Sequence, residues 1–274
     1  MKTVVLKVGG RLLDEATWPA VVTEVADLRD RGHAVVIVHG GGPEITEMSA
    51  RLGLKARFVH GRRVTDSSTL AVVEMVLSGV INRRLVGGLQ RQGIPALGLS
   101  GRDLDLVVAR RRPELGEVGE PVQVRREVLQ ALLQNGWVVV LAPICSDGHG
   151  QALNVNADEV AAAVAGALEA ECLFLLTDTP GVLDASGRRL PWLTPRAFDR
   201  LVQAGIIRDG MIPKAAAAVE ALARGVQQVL ITSLGPAPLV HQLKESEWGT
   251  WIGRDEEDAR PVLGFRGQGE APDS

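Results

Sequence analysis

The chain has 274 residues, of which 46% are hydrophobic and 23% are charged, and its formal net charge is −3. This size and composition predict a soluble globular protein with a sizeable core, and the near-neutral charge argues against nucleic-acid binding. Apolar runs stay well below the roughly 20 residues of a membrane span, and the first residues enter a strand directly. We therefore expect a cytoplasmic protein without a signal peptide, and we expect Cys145 and Cys172 to be reduced core residues.

Apolar, β-branched runs alternate along the chain with segments of helical periodicity. The predicted strands are 3–8, 34–38, 94–99, 137–142, 172–177 and 228–232. The predicted helices are 15–31, 67–91, 156–169 and 213–224. Strands that alternate with helices pair in parallel through right-handed crossovers. The sequence thus predicts an α/β fold, a three-layer αβα sandwich around a mainly parallel central sheet.

Three more polar stretches are predicted to be hairpins, because turn residues and charges interrupt them: 55–64, 103–125 and 145–153. If the chain has two lobes, we expect the boundary near residue 150, which separates an N-terminal lobe 1–150 from a C-terminal lobe 151–252. The polar segment 253–274 lacks periodicity and is predicted to be a flexible tail.

Two glycine turns follow the first two predicted strands: Lys7-Val8-Gly9-Gly10 and His39-Gly40-Gly41-Gly42-Pro43. Glycine lets backbone N–H groups approach an anion closely, and a following helix adds its positive end. Lys7 would place its ammonium group at the carboxyl edge of the sheet, where α/β proteins bind ligands. Either turn alone is also compatible with a purely structural role, and neither is a Walker A or a GxGxxG motif. We expect His39 to fix the loop rather than to act as a base.

Two further motifs carry charged side chains next to predicted helix starts. In Gly61-Arg62-Arg63-Val64-Thr65-Asp66, an arginine can clamp a carboxylate, while Thr65 or Asp66 can cap the helix that follows. In Asn154-Val155-Asn156-Ala157-Asp158-Glu159, Asn156 is a good N-cap. Asp158 then enters a helix rich in alanine and valine, where a semi-buried carboxylate requires a cationic partner.

Two motifs in the second half of the chain complete the series. Leu176-Thr177-Asp178-Thr179-Pro180-Gly181-Val182 is another strand end followed by a glycine turn. Asp209-Gly210-Met211-Ile212-Pro213-Lys214 opens an alanine-rich helix. A lysine one turn inside such a helix can reach a bound phosphate, although such a lysine is more often a surface residue.

The order and spacing of KVGG, HGGGP, GRRVTD, NVNAD, LTDTPGV and DGMIPK resemble the amino-acid kinase family, and within it the N-acetylglutamate kinases. The resemblance runs from residue 3 to residue 252 and includes Trp248-Gly249-Thr250 near its end. It implies the carbamate kinase-like fold of this family. It also implies that the N-terminal lobe binds the acyl acceptor and mediates dimerisation, while the C-terminal lobe binds ATP.

The resemblance implies roles for individual residues. Lys7 and Lys214 hold the phosphoryl group from opposite ends during transfer, and Asp158 orients both lysines. The acceptor is bound by residues of the N-terminal lobe and of the NVNAD motif: Gly10, Gly41, Gly42, Arg63 and Asn154. The nucleotide is bound by two segments: Asp178, Thr179, Pro180, Gly181, Val182, Leu183, and Ile206, Ile207, Arg208. Arg63 grips the α-carboxylate of the substrate, whereas Arg62 stands where an apolar residue is more usual.

The implied reaction is ATP-dependent phosphorylation of the side-chain carboxylate of N-acetyl-L-glutamate, the second step of arginine biosynthesis. A carboxylate is already an anion, so the reaction requires charge neutralisation and in-line positioning rather than a general base. We expect Mg²⁺ to be carried by the ATP phosphates, without a dedicated metal site on the protein.

Two alternatives remain open. A kinase for carrier-linked aminoadipate or glutamate could use Arg62 and the cluster Arg110-Arg111-Arg112 to contact an acidic carrier protein. A non-catalytic sensor of nucleotide or amino acid is the remote alternative. Since Lys7 comes too early for the extra N-terminal helix of arginine-inhibited hexamers, the resemblance implies a homodimer without arginine feedback, paired through the helix 67–91 and its neighbouring strand.

Overall fold

The structure is a computed structural model, and it describes residues 2–59, 61–207, 211–235, 238–242 and 248–253. The strands are β1 (Thr3–Val8), β2 (Ala34–His39), β3 (Phe58–Val59), β4 (Arg62–Arg63), β5 (Ala96–Gly101), β6 (Val107–Arg111), β7 (Val118–Val124), β8 (Val138–Ser146), β9 (Ala152–Val155), β10 (Cys172–Leu176), β11 (Trp192–Leu193), β12 (Gln228–Thr232) and β13 (Thr250–Ile252). The α-helices are α1 (Trp18–Asp30), α2 (Gly42–Arg51), α3 (Ser67–Glu74), α4 (Asn82–Arg91), α5 (Arg126–Gln134), α6 (Ala157–Ala167), α7 (Pro195–Gln203), α8 (Met211–Ala223) and α9 (Leu239–Gln242).

One sheet of 11 strands crosses the described part of the chain in the order β11-β13-β12-β10-β1-β2-β8-β6-β7-β9, with β5 paired to β8 off this path. The central strands are parallel: β1 pairs with β10 and β2, and β2 pairs with β8. The α/β prediction with a mainly parallel sheet is confirmed. The three predicted hairpins are also confirmed, as the antiparallel pairs β3–β4, β6–β7 and β8–β9.

Each face of the sheet buries its own hydrophobic cluster, because successive residues of a strand point to opposite faces. Along β1, Val5 belongs to one cluster, while Val4 and Leu6 belong to the other. The first cluster includes Val160 of α6, and the second includes Leu85 of α4. Helices therefore cover both faces of the sheet, as the three-layer prediction requires.

The predicted helix 67–91 is present, but its middle is not regular. Asp66 caps α3 by accepting a hydrogen bond from the backbone N–H of Thr69 at 2.7 Å. Residues Met75–Ile81 then form a π-helical segment that joins α3 to α4. Such wide turns often occur at functional sites. Here the segment places Leu77 and Ile81 against Gly41. A Cβ added to Gly41 would lie 2.7 Å from a methyl carbon of Leu77 and 2.3 Å from a methyl carbon of Ile81.

Other expectations concern the cysteines and the chain end. Cys145 and Cys172 are buried free thiols, and burial raises the pKa of both above the usual range.

In the described part of the chain, no helix is long and apolar enough to cross a membrane. The expected lobe boundary falls in the turn between β8 and β9. Residues 254–274 of the predicted tail lie outside the described residues.

Candidate active site

The predicted motifs meet at one edge of the sheet. Because β1, β2 and β10 run parallel to one another, their carboxyl ends lie at the same edge. Lys7 is the penultimate residue of β1, the glycine loop Gly40–Gly42 follows β2, and Asp178 comes shortly after β10. This is the edge at which open α/β sheets bind their ligands.

Asp158 lies between two lysines. Its Oδ1 is 3.0 Å from Nζ of Lys7 and 3.4 Å from Nζ of Lys214. Asn156 fixes the start of α6, because its side-chain oxygen accepts hydrogen bonds from the backbone N–H groups of Asp158 and Glu159. The N-cap predicted for Asn156 and the cationic partner predicted for Asp158 are both confirmed.

This cluster of Lys7, Asp158 and Lys214 carries more positive than negative charge. The exposed fractions of the three side chains are only 7%, 8% and 17%, respectively. Burial raises the pKa of Asp158, but the attraction of the two lysines outweighs burial and leaves that pKa below its usual value. Burial and repulsion from Lys7 lower the pKa of Lys214 to about 8. Two ammonium groups around one carboxylate leave a net positive charge, which suits an anionic ligand.

Glycines keep space free around this cluster. A Cβ at Gly9 would lie 3.0 Å from Nζ of Lys7. Gly10 has a φ of +59°, a conformation that side chains other than glycine rarely adopt. Gly42 is the first residue of α2, and the first N–H groups of a helix have no acceptor within that helix. Both predicted glycine turns therefore offer backbone donors to an anion.

A buried polar pair supports the glycine loop Gly40–Gly42. His39 is fully buried, and burial lowers its pKa to about 4, so that the imidazole is neutral near pH 7. The hydrogen-bond network assigns the proton to Nδ1, which donates to the Gly40 carbonyl at 2.9 Å. Nε2 then accepts from Nδ2 of Asn82 at 3.2 Å. The structural role expected for His39 agrees with this geometry, whereas Asn82 was not among the predicted site residues.

A cavity of about 190 Å³ lies next to the glycine loop, and we call it the acceptor cavity. Its wall includes Arg63, Asn154 and the loop residues Gly40–Gly42, and it extends to Ala157, the residue before Asp158. Four of the five residues predicted to bind the acceptor therefore meet in one cavity. Gly10, the fifth, is not part of its wall.

Arg63 is buried but incompletely paired. Its Nη2 donates to Oγ1 of Thr46 at 2.7 Å and to the Gly42 carbonyl at 3.2 Å. Its guanidinium also lies 4.8 Å from the ring centroid of Phe58. Nη1 is buried without a hydrogen-bond partner among the described residues. An unpaired guanidinium nitrogen in a cavity wall suits a carboxylate ligand.

The segments predicted to bind nucleotide follow β10 and α7. Thr179 Oγ1 donates to the Gly181 carbonyl at 3.3 Å, and the Val182 N–H donates to Thr250 Oγ1 at 2.8 Å. Val182 and Ile207 pack their side chains into the hydrophobic core, so a nucleotide could contact only their backbone atoms. Arg208 lies outside the described residues. Among the residues that the structure does describe, no group of three His, Cys, Asp or Glu side chains is placed to hold a metal ion.

The arginines of β6 and its neighbourhood are paired with glutamates. Arg110 and Arg112 contact the two carboxylate oxygens of Glu120, and Arg111 lies 2.5 Å from Glu117. Beside them is a cleft of about 520 Å³, which we call the outer cleft. Its charged wall residues are Arg62, Arg110, Arg112, Glu120, Glu159, Glu220 and Arg224. Each of the three arginines predicted to contact an acidic carrier protein, Arg110, Arg111 and Arg112, therefore has a glutamate partner within the chain.

The chain is similar to known kinases in sequence and in fold. The model of the family described as "Amino acid kinase family" matches residues 2–233. An acetylglutamate kinase from Cereibacter sphaeroides is 43% identical over 264 residues, which cover 94% of this chain and 90% of that protein. The solved structure of smu.665 from Streptococcus mutans UA159 has a TM-score of 0.80 at 28% identity and covers 92% of this chain and 99% of that chain. A Giardia carbamate kinase, at 17% identity and a TM-score of 0.67, covers 93% of this chain and 99% of that chain and shows the fold alone.

Proposed function

The chain belongs to the amino acid kinase family, and we propose that it transfers the γ-phosphoryl group of ATP to the side-chain carboxylate of N-acetyl-L-glutamate in the cytoplasm. This would be the second step of arginine biosynthesis. The observation that carries the proposal is the cluster of Lys7, Asp158 and Lys214, with its excess of positive charge, beside the acceptor cavity. The acetylglutamate kinase that shares 43% identity over 94% of this chain supports the choice of acceptor.

The acceptor cavity suits a small dicarboxylate with an amide. Its volume of about 190 Å³ is below the roughly 300–1,000 Å³ of clefts that hold drug-sized ligands. The free Nη1 of Arg63 would bind the α-carboxylate, and the side chain of Asn154 would bind the acetamido group. The reacting carboxylate would then point toward the N–H groups of Gly41 and Gly42, which would donate to it, while the N–H of Gly40 donates to the Val8 carbonyl.

The lysines would supply the charge neutralisation that phosphoryl transfer requires. The attacking carboxylate is ionised at neutral pH, so no residue has to remove a proton from it. Lys7 would contact the phosphoryl group from the acceptor side and Lys214 from the nucleotide side, while Asp158 holds both ammonium groups in place. Fixed positive charges in a site that excludes water stabilise a transferring phosphoryl group without reorganising.

The nucleotide would rest on the segments 178–183 and 206–208, in a C-terminal lobe that begins near residue 151. Mg²⁺ would arrive bound to the ATP phosphates and would neutralise part of their charge. The net positive charge of the lysine cluster is consistent with binding the anionic phosphates directly.

We also propose that two copies of the chain pair through the long helix 67–91. Two large apolar side chains of its π segment, Met75 and Val80, are each 50% exposed in the single chain. A contact with a second copy would remove both from water. Light scattering of the purified protein tests the dimer, and a monomeric mass at micromolar concentration would contradict it.

A panel of acceptors tests the proposed reaction. The purified protein is incubated with Mg-ATP and N-acetyl-L-glutamate, glutamate, aspartate, carbamate, UMP or N-acetylaminoadipate, and ADP release is measured together with trapping of acyl phosphate by hydroxylamine. We expect N-acetyl-L-glutamate to give the highest kcat/KM. Glutamate should be poorer by about 100-fold, because it leaves the amide-binding groups of the cavity unpaired.

The panel also separates the competing functions. ADP release and hydroxamate formation that are highest with the aminoadipate derivative would favour the carrier-linked kinase. Binding of ATP in calorimetry without turnover of any acceptor would favour a sensor. Either result would overturn the proposal.

A further inference from the structure

The hairpin β3–β4 is joined to α2 by Arg63, whose Nη2 donates to Thr46 and to the Gly42 carbonyl. It forms a two-stranded sheet of its own, outside the central sheet. Phe58 and Val59 are 56% and 42% exposed, so its first strand adds little to the core. Nevertheless, Phe58, Gly61, Arg62 and Arg63 form one wall of the acceptor cavity. The position of this hairpin therefore affects the shape of the cavity.

One ion pair joins this hairpin to α6. Nη2 of Arg62 contacts Oε1 of Glu159. Arg62 lines both the acceptor cavity and the outer cleft, whereas Glu159 lines the outer cleft and is not part of the wall of the acceptor cavity. The ion pair thus lies at the boundary of the two spaces.

The carboxylate of Glu159 is the anchored partner of the pair. Its backbone N–H donates to the cap Asn156, and its side chain lies in the first turn of α6, where the positive end of the helix favours an anion. Its other oxygen is 3.8 Å from Arg112, which is itself held by Glu120 at 2.7 Å. The hairpin is therefore fastened to a fixed carboxylate.

The two partners also stand next to functional residues in the chain. Arg62 immediately precedes Arg63, the proposed ligand of the substrate α-carboxylate, and Glu159 immediately follows Asp158. Both arginines belong to the two-residue strand β4, so loss of the contact with Glu159 would leave Arg63 held less firmly, by its hydrogen bonds to Thr46 and the Gly42 carbonyl. Asp158, in contrast, is held by its own helix and both lysines.

We propose that the Arg62–Glu159 ion pair is a latch that holds the hairpin β3–β4 over the acceptor cavity. Arg62 and Glu159 are then positioning residues that set the affinity for the acceptor, while the rate of phosphoryl transfer depends on the lysine cluster. The kinetic part of this proposal rests on the proposed function. The competing explanation is that Arg62 binds a carboxylate of the substrate directly.

Steady-state kinetics of Arg62→Met, Glu159→Gln and the double variant separate the two explanations. A latch predicts that each single variant raises KM for N-acetyl-L-glutamate about five- to tenfold, a range above that of most exposed ion pairs because the pair is partly buried. The double variant should be no worse than either single one, since both changes remove the same contact. KM for ATP and kcat should stay within about twofold.

If Arg62→Met raises KM while Glu159→Gln leaves it unchanged or lowers it, Arg62 binds the substrate itself and the latch is wrong. Additive effects in the double variant would also overturn it. The matched control is Arg110→Met, which removes an arginine of the outer cleft that pairs with Glu120, and it should leave KM within about twofold.

Amide hydrogen exchange tests the latch without substrate, so that its result does not depend on the proposed function. Residues 57–64 should exchange faster in Glu159→Gln than in the unchanged protein, while residues of β1 should exchange equally in both. Equal exchange in the hairpin would overturn the latch. Absence of turnover of N-acetyl-L-glutamate by the unchanged protein would instead overturn the proposed function.

Discussion

Two neighbouring carboxylates of α6 have very different surroundings. Asp158 is buried and shares two lysines, so its cluster has one positive charge in excess. Glu159, one residue later, belongs to a partly exposed network in which arginines and glutamates face each other. Burying unbalanced charge costs free energy, so it persists where an anionic ligand compensates it. Charges that pair with one another near the surface position secondary-structure elements, and removing one of them changes activity and stability less.

The largest effects are expected at the unbalanced cluster. Lys7→Met should lower kcat by about 10²–10³, because it removes a charge that stabilises the transferring phosphoryl group. Its stability to urea should change little, since Lys214 still pairs with Asp158. Asp158→Asn should lose activity and also about 3–5 kcal/mol of unfolding free energy, because two buried lysines lose their counter-charge.

Hydroxamate formation and urea unfolding measure these two quantities separately. Lys2→Met is the matched control, because Lys2 lies at the other end of β1 and is 58% exposed, and its kcat should stay within about twofold. A Lys7→Met protein with half of the original rate would show that the excess charge has no catalytic role.

The next largest effect is expected in the glycine loop. Gly41→Ala should lower kcat/KM by about tenfold or more and cost about 1–3 kcal/mol of stability, because its methyl group would lie 2.3 Å from Cδ1 of Ile81. Because the methyl group would also lie 2.7 Å from Cδ2 of Leu77, Leu77→Ala and Ile81→Ala are both needed in the same protein to make room for it, and together they should recover kcat/KM. Loss of activity that persists in this triple variant but is absent from the Leu77→Ala/Ile81→Ala protein would mean that the loop needs glycine for its backbone conformation rather than for space.

Lys214 also makes the rate and the stability of the protein depend on pH. With its pKa lowered to about 8 in the ligand-free protein, Lys214 loses its proton above that pH, and kcat/KM for ATP should fall about tenfold per pH unit. The free energy of unfolding should change in the opposite direction and rise with pH. The pKa of Lys214 is lower in the folded state than the ordinary value of 10.5, so the unfolded chain binds more protons between pH 8 and 10.5. The contribution of this group to the free energy of unfolding therefore rises with pH across that range.

Both expected changes can be tested between pH 7 and 10, the fall in rate by kcat/KM for ATP and the rise in stability by the urea midpoint of unfolding. Lys214→Arg should move the alkaline decline of kcat/KM for ATP out of this range, because a guanidinium stays protonated. If the decline near pH 8 persists in Lys214→Arg, another group causes it.

The smallest effect is expected in the balanced network. Arg110→Met should change the free energy of unfolding by less than about 0.5 kcal/mol and kcat by less than about twofold, because the Arg110 side chain is 73% exposed. Thermal unfolding and the hydroxamate assay measure both. A large loss of activity would show that this hairpin takes part in catalysis and that the contrast between the two regions is wrong.

The central strands could be predicted closely from the sequence. β1 and β12 match the predicted segments 3–8 and 228–232, because strands buried on both faces are continuous apolar runs. The three-residue strand β13 was missed, and it pairs antiparallel with β12. Such a short segment has no periodicity of its own. The π segment was also missed, because the apolar pattern runs through it without interruption.

The part of the site that could be predicted from the sequence is the part in which a buried charge requires a partner of opposite charge. A carboxylate in an alanine-rich helix requires a cation, and Asp158 has Lys7 and Lys214. Physical reasoning from the sequence could not name these partners, since only the folded sheet and helices bring positions so distant in the chain together. The partners were named by the resemblance to the amino-acid kinase family, which the order of the motifs indicates. Asn82 and the pairing of Arg62 with Glu159 depend on packing alone and have no local sequence signal.

The two lysines differ in how firmly their backbones are held. Lys7 belongs to a strand with parallel partners on both sides, opposite Leu175 on one and Val38 on the other. Any displacement of Lys7 would have to break both ladders, so it is a fixed reference point for the reaction. Lys214 belongs to α8, which packs on one face of the sheet through its side chains. Helices packed in this way can shift by small side-chain rearrangements. Changes in the distance between the two ammonium groups during a catalytic cycle should therefore come from movement of α8 toward a stationary Lys7.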